Sequence, residues 1–146
     1  MSDKFVIMFV CTGNTCRSPM AEAALRMLLE KERPGITEVI SSGIAGAIGF
    51  PATKFAAEAA RIWDCDLSDH ESQPLTEELI DQSDLILALA PTHHVATVQM
   101  KPEATPRTFL FKNFPDARPD GEAVEDPIGQ PLDMYNRTFL EIGEYL

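Results

Sequence analysis

The sequence predicts an α/β fold, a single domain over residues 1–146 built on a four-stranded, mostly parallel sheet with helices on both faces. Three observations carry this reading. Short apolar runs of strand length alternate along the chain with segments whose apolar residues recur at helical spacing. Strands joined through helices form right-handed crossovers, which make neighbouring strands parallel and leave both sheet faces to be covered. The length of 146 residues is enough for one full hydrophobic core and too short for two ordinary ones.

The elements follow in order. Phe5–Val10 is a continuous apolar run, Gly13 and Asn14 come directly after it, and a helical pattern begins near Ser18. This stretch reads as strand, tight loop and helix. Met20, Ala23, Ala24, Met27 and Leu28 are expected to form the buried face of that helix, with Glu22, Arg26, Glu30 and Lys31 mainly elsewhere and Pro34-Gly35 ending it. Glu38–Ser41 is a short second strand, and Gly43–Pro51 is a loop of glycine and small residues before a helix over about 52–62. Pro74–Glu78 has the look of a helix start, and Asp84–Leu89 is the third strand. A helix follows Pro91, with His93 and His94 expected on its surface. Pro102–Pro106 and Phe114–Pro131 are proline-rich and read as loops on either side of a fourth strand, Arg107–Phe111. Leu132–Leu146 is the last helix, with Leu132, Tyr135, Phe139 and Ile142 on one face. There is no internal repeat or low-complexity segment.

Charge narrows the partners. Twelve Lys and Arg stand against 23 Asp and Glu, for a net charge of -11, which argues against nucleic acid or an anionic membrane. The surplus acid either keeps the protein soluble or favours a cationic substrate segment. Met1–Lys4 opens without the basic region and apolar stretch of a secretory signal, and no apolar run approaches bilayer length. Three cysteines, an odd number, suggest reduced thiols, so the expected compartment is the cytoplasm. The oligomeric state is left open.

In such a sheet, ligands bind beyond the carboxyl ends of the strands, where the loop after the first strand lies. That loop is Cys11-Thr12-Gly13-Asn14-Thr15-Cys16-Arg17-Ser18-Pro19. A loop wrapped around an oxyanion points successive backbone N–H groups inward, and the helix N-terminus behind it adds partial positive charge. Gly13 and Asn14 suit the positive backbone angles that wrapping requires. The same field favours thiolate over thiol at Cys11 without a dedicated base, which makes Cys11 the candidate nucleophile. Arg17 offers a planar fork for two phosphoryl oxygens, and Ser18 can donate to the sulfur. Thr12, Gly13, Asn14, Thr15, Cys16 and Ser18 are therefore expected to bind substrate phosphate.

An ATP-binding loop would need Gly-Lys-Ser or Gly-Lys-Thr, and a dinucleotide fingerprint three spaced glycines; neither is present. Cys65, His70, His93 and His94 form no cluster of metal-ligand spacing with the loop. No metal and no cofactor is expected. A general acid is still required, and Asp126, restrained to extended geometry by Pro127, is the candidate. Cys16 lies close enough in sequence to form a disulfide with Cys11 on oxidation, or it is simply a packing thiol.

The loop together with Asp126-Pro127 resembles the low-molecular-weight protein-tyrosine-phosphatase family, and the resemblance spans essentially the whole chain. It implies the fold of that family, a four-stranded parallel sheet flanked by helices, and hydrolysis through a phosphocysteine. It also implies that Cys11 is the nucleophile, Arg17 the phosphate clamp and Asp126 the acid and then the base, with Ser18 and Asn14 ordering the loop. Ser41 and His70 are implied partners of that polar network, His70 through the segment Asp69-His70-Glu71-Ser72 to Leu75.

Ile128 and Gly129 stand where tyrosine-specific members have aromatic residues, and Thr15 stands where many of them have a larger aliphatic one. The loop Cys-Thr-Gly-Asn-Thr-Cys-Arg-Ser is similar to that of the protein-arginine-phosphatase branch. The substrate so implied is a phosphorylated protein bearing phosphoarginine, with phosphotyrosine the alternative. Arsenate reduction on the same scaffold uses two further cysteines, and only Cys65 follows the loop. A phosphate-binding module without activity is the reading from a different class, and retention of Cys11, Arg17 and Asp126 together argues against it.

Overall fold

The protein is described by a computed structural model over residues 4–32, 35–116 and 121–146. Strands β1 (Phe5–Cys11), β2 (Thr37–Gly43), β3 (Leu85–Ala88) and β4 (Thr108–Leu110) form one sheet in the order β2-β1-β3-β4. All three pairings are parallel, as helix-linked strands require. The helices are α1 (Arg17–Glu32), α2 (Lys54–Arg61), α3 (Glu77–Gln82), α4 (Pro91–Met100) and α5 (Leu132–Tyr145).

Alternation along β1 divides the core. Phe9 and Cys11 belong to a cluster with Met20, Ala21 and Ala24 of α1, Ala56, Ala59 and Ala60 of α2, and Tyr135, Phe139 and Ile142 of α5. Met8 and Val10 point the other way, into a smaller cluster with Ile80 of α3, Ile86 and Ala104. Burial on both faces explains why β1 reads as an unbroken apolar run. Met8, Phe9 and Val10 are fully buried, and each such side chain contributes about 1.5–3 kcal/mol. No helix among the described residues is long and apolar enough to cross a membrane.

The expected α/β architecture and four-stranded parallel sheet are present, with three local corrections. On α1, Leu28 is 40 % exposed, while Ala21 is buried and Leu25 is half-buried against the core. Steps of four residues drift by about 40° each, so Leu28 has rotated about 80° from Met20, whereas Met27 stays near the buried face. Pro102–Pro106 is not an irregular loop, since Pro102–Arg107 forms a 3-10 helix, whose backbone angles proline already favours. His93 and His94 are buried, not surface residues. α4 presents His93, His94 and Thr97 inward, where His94 Nε2–H donates to the Thr108 carbonyl at 3.2 Å and the Thr97 hydroxyl to the His93 carbonyl at 2.8 Å, while Nδ1 of each histidine is buried without a partner. Element ends also shift by a few residues, β2 being longer than expected and α2 shorter. Pro34, part of the expected stop of α1, and residues 117–120 of the late loop lie outside the described residues.

Candidate active site

The loop begins where β1 ends, at Cys11, and closes where α1 begins, at Arg17. Its carbonyl oxygens are taken up from outside. Cys11 O accepts from Ile44 N at 2.9 Å, Thr12 O from Ala45 N at 2.9 Å, and Thr15 O from Thr53 N at 2.8 Å. Thr53 also caps α2, its side chain accepting from Ala56 N. The end of β2 presses directly on the loop. A Cβ on Gly43 would lie 2.5 Å from Thr12 O and 2.9 Å from Asn14 N, so only glycine fits where β2 pairs Gly43 with Cys11.

Asn14 is fully buried in left-handed geometry, φ 58°, and its side chain ties the loop together. Nδ2 donates to Ser18 Oγ at 2.8 Å and to Ser41 Oγ at 2.9 Å, and Oδ1 accepts from Gln73 N at 2.9 Å. The Asn14 carbonyl accepts from His70 Nε2 at 2.6 Å. Ser41 in turn donates to Glu22 Oε1 at 2.6 Å, and Gln73 Nε2 donates to the Ser41 carbonyl at 2.9 Å. Asn14, Ser18, Ser41 and His70 thus meet in one set of hydrogen bonds. Glu22 and Gln73 complete the network without having been singled out from sequence.

Cys11 Sγ lies 2.8 Å from Ser18 Oγ and accepts from Asn14 N at 3.3 Å. Ser18 already accepts from Asn14, so its own proton is free to point at a thiolate on Cys11. Cys11 and Cys16 are buried free thiols, as is Cys65. The two loop cysteines differ in character. Burial, then the Asp126 carboxylate, then Cys11 push the Cys16 pKa up to about 12, so Cys16 remains a thiol, and its Sγ donates to Asp126 Oδ1 at 3.5 Å. Of the pair, Cys11 is the one whose sulfur faces a hydroxyl and a backbone N–H.

Arg17 is 5 % exposed. Nη1 donates to the Val124 carbonyl at 2.9 Å, Nη2 donates to Thr12 Oγ1 at 3.3 Å, and Nη2 lies 3.5 Å from Asp126 Oδ2. Its Nε is buried without a partner, a donor left over for an oxyanion. Asp126 is brought in from a late segment that Val124 fastens to the sheet, Val124 N donating to Leu89 O at 2.7 Å just past β3. Asp126 Oδ1 also accepts from Ile128 N at 3.1 Å, and its side chain is 36 % exposed. Cys11, Arg17 and Asp126 are therefore joined into one site, Arg17 and Asp126 directly and Cys11 through the loop. Thr12 is exposed, and Gly13 and Thr15 are half-buried.

Sequence reasoning missed Gly43, Glu22, Gln73, Val124 and His93, whose Nε2 is 2.9 Å from Thr12 Oγ1. Of these only Gly43, at the start of a glycine-rich loop, carried any signal. Among the described residues no group of three or more His, Cys, Asp or Glu is arranged to hold a metal. A thiol, a buried guanidinium and a carboxylate gathered at one loop are suited to transfer of a phosphoryl group and protonation of its leaving group.

Residues 6–146 match the family described as low molecular weight phosphotyrosine protein phosphatase. The protein-arginine-phosphatase of Geobacillus stearothermophilus is 40 % identical over 136 residues, covering 93 % of this chain and 87 % of the relative. The low molecular weight protein-tyrosine-phosphatase Etp of Escherichia coli (strain K12) is 33 % identical over 133 residues, covering 91 % and 84 %. A solved structure of the YwlE arginine phosphatase, a cysteine-to-serine mutant with a phosphorylated active site serine, superposes with a TM-score of 0.88 at 37 % identity, covering 97 % of this chain and 90 % of that one.

Proposed function

The chain belongs to the low molecular weight phosphotyrosine protein phosphatase family, and on that premise we propose that it hydrolyses phosphoarginine in proteins through a phosphocysteine on Cys11. The observation that carries the reading is the Arg17 guanidinium, buried beside the Cys11 loop, in contact with Asp126 and with Nε unpartnered. It grips two oxygens of the transferring group. The Cys11 thiolate attacks phosphorus, the bond from phosphorus to the guanidino nitrogen breaks, and Asp126 supplies the proton that lets the guanidine depart. Water then attacks the phosphocysteine with Asp126 as base, and the thiolate leaves with the Ser18 hydroxyl 2.8 Å away to receive it. Phosphorylation of the serine that replaces the nucleophile in the YwlE relative supports a covalent intermediate here.

For the substrate, Thr15 gives a polar rim and Ile128-Gly129 supplies no aromatic wall, which favours a branched guanidino group over a tyrosine ring. Similarity to an arginine phosphatase over most of both chains supports the same choice. Free thiols in the site fit a reducing compartment, and the proposed location is the cytoplasm. The test is turnover of phosphoarginine and phosphotyrosine peptides side by side. The expected result is a kcat/KM ratio of at least about tenfold in favour of phosphoarginine, reduced about tenfold by Thr15→Ile, whose aliphatic surface suits an aromatic ring. A ratio favouring phosphotyrosine in the unmodified protein would overturn the substrate assignment.

A further inference from the structure

His93 lies on α4, far in sequence from the loop, yet its ring reaches the site. Nε2 is 2.9 Å from Thr12 Oγ1, the same oxygen that accepts from Arg17 Nη2 at 3.3 Å. The residue is 1 % exposed, and its other ring nitrogen, Nδ1, is buried with no partner. Its backbone is fixed within the first turns of α4, where His93 N donates to Ala90 O at 3.0 Å. A buried imidazole with one unpaired nitrogen carries a desolvation cost that an apolar residue would avoid. What it obtains in return is the bond to Thr12.

The protonation of the ring decides what Thr12 can do. A threonine hydroxyl has one proton and can accept two hydrogen bonds. If the ring proton sits on Nδ1, a buried N–H is stranded and Thr12 uses its only proton on Nε2. If the proton sits on Nε2, only a lone pair is stranded, which folded proteins tolerate better. Thr12 Oγ1 then accepts from both His93 and Arg17 and keeps its own proton. A doubly protonated ring would set a second cation beside Arg17. Burial first and Arg17 second hold the His93 pKa down to about 4, with Asp126 opposing, so the ring stays neutral near pH 7.

We infer that His93 is a positioning residue whose Nε2–H holds Thr12 so that its oxygen accepts from Arg17 and its hydroxyl proton remains for the oxyanion that Arg17 grips. This rests on the role given to Arg17 above. Thr12 is thereby a donor to the phosphoryl group rather than only part of the wall, and His93 sets its direction without adding charge.

The test uses an aryl phosphate as substrate and inorganic phosphate as inhibitor. Thr12→Val removes a hydroxyl from an exposed position, His93→Leu removes the ring donor, and His93→Gln restores an N–H near the place of Nε2. Each of the first two is expected to lower kcat about tenfold and to weaken phosphate inhibition. The double variant should be no worse than the poorer single one, because both changes break one chain of bonds. His93→Gln should recover most of the loss. Nitrogen NMR of the His93 ring should show the Nε2–H form, without titration between about pH 5 and pH 8.

Independent, multiplying losses in the double variant would overturn the inference. So would a Thr12→Val protein with unaltered kcat, or a ring protonated on Nδ1. Should His93→Leu fail to fold, Thr12→Val and the ring spectrum still decide. Turnover that persists without Cys11 is a separate result, which would fault the site assignment and not the His93–Thr12 bond.

Discussion

Behind the loop, both polar atoms of the Asn14 side chain are satisfied by bonds of 2.8–2.9 Å, and Ser41, Gln73, His70 and Glu22 extend the same saturated set. In front of it, Arg17 is held by one short bond to Val124, reaches Thr12 and Asp126 at 3.3 and 3.5 Å, and has a buried Nε with no partner. The rear spends its hydrogen-bonding capacity on shape, which keeps the Asn14 backbone at its unfavourable φ. The mouth keeps capacity in reserve, a buried guanidinium donor with no partner in the protein. Changes at the mouth should therefore alter rate with little effect on stability, and changes at the rear the reverse.

The largest effect is expected from Cys11→Ser. Loss of the sulfur nucleophile should lower turnover of any phosphate ester by at least about a thousandfold, while melting temperature and phosphate affinity stay close to those of the unmodified protein. Residual activity within tenfold of normal would remove Cys11 from the mechanism and with it the contrast between mouth and rear.

Asp126→Asn comes next. A guanidine departs poorly unless protonated, so turnover of phosphoarginine should fall by about 10²–10⁴-fold, and turnover of an activated aryl phosphate, whose leaving group needs no proton, by much less. Equal losses on the two substrates would mean that Asp126 acts through its contact with Arg17 rather than as an acid. The Cys16 contact offers a second readout. Asp126 helps keep the Cys16 thiol protonated, so removing its charge should lower the Cys16 pKa and speed alkylation of Cys16 at alkaline pH.

How much of this could be read from the chain follows the same division. The loop from Cys11 to Arg17 was legible because its chemistry is local, seven consecutive residues between a strand and a helix. The sheet was legible because strands alternating with helices leave few topologies. Asp126 lies 110 residues from Cys16, the partner it meets, and the Asp126-Pro127 pair that made it a candidate gained its weight from resemblance to a family. His93 was misread as a surface residue, and Glu22 was passed over, for one reason. Polar residues on a helix default to solvent, and only the packing of α1 against β2 and of α4 beneath the loop turns these two inward. Gly43 is required by the register that sets it beside Cys11, a constraint that exists only once the parallel strands have paired.

The smallest effect, and the sharpest check on the rear, is expected from Ser41→Ala. The hydroxyl is buried, accepts from Asn14 Nδ2 at 2.9 Å and donates to Glu22 Oε1 at 2.6 Å. Its removal takes away the acceptor of one buried Asn14 proton and returns Glu22 to its ion pair with Arg26 alone. A stranded buried donor costs about 1–3 kcal/mol, which for a chain of this size lowers the melting temperature by several degrees. Ser18 still holds the other Asn14 proton and Gln73 still holds Oδ1, so the loop keeps its form and kcat should fall only a few-fold. The two readouts must move in that proportion. A Ser41→Ala protein that melts normally yet loses as much activity as Asp126→Asn would place Ser41 among the groups that work on the substrate, and the rear of the loop could no longer be described as a frame.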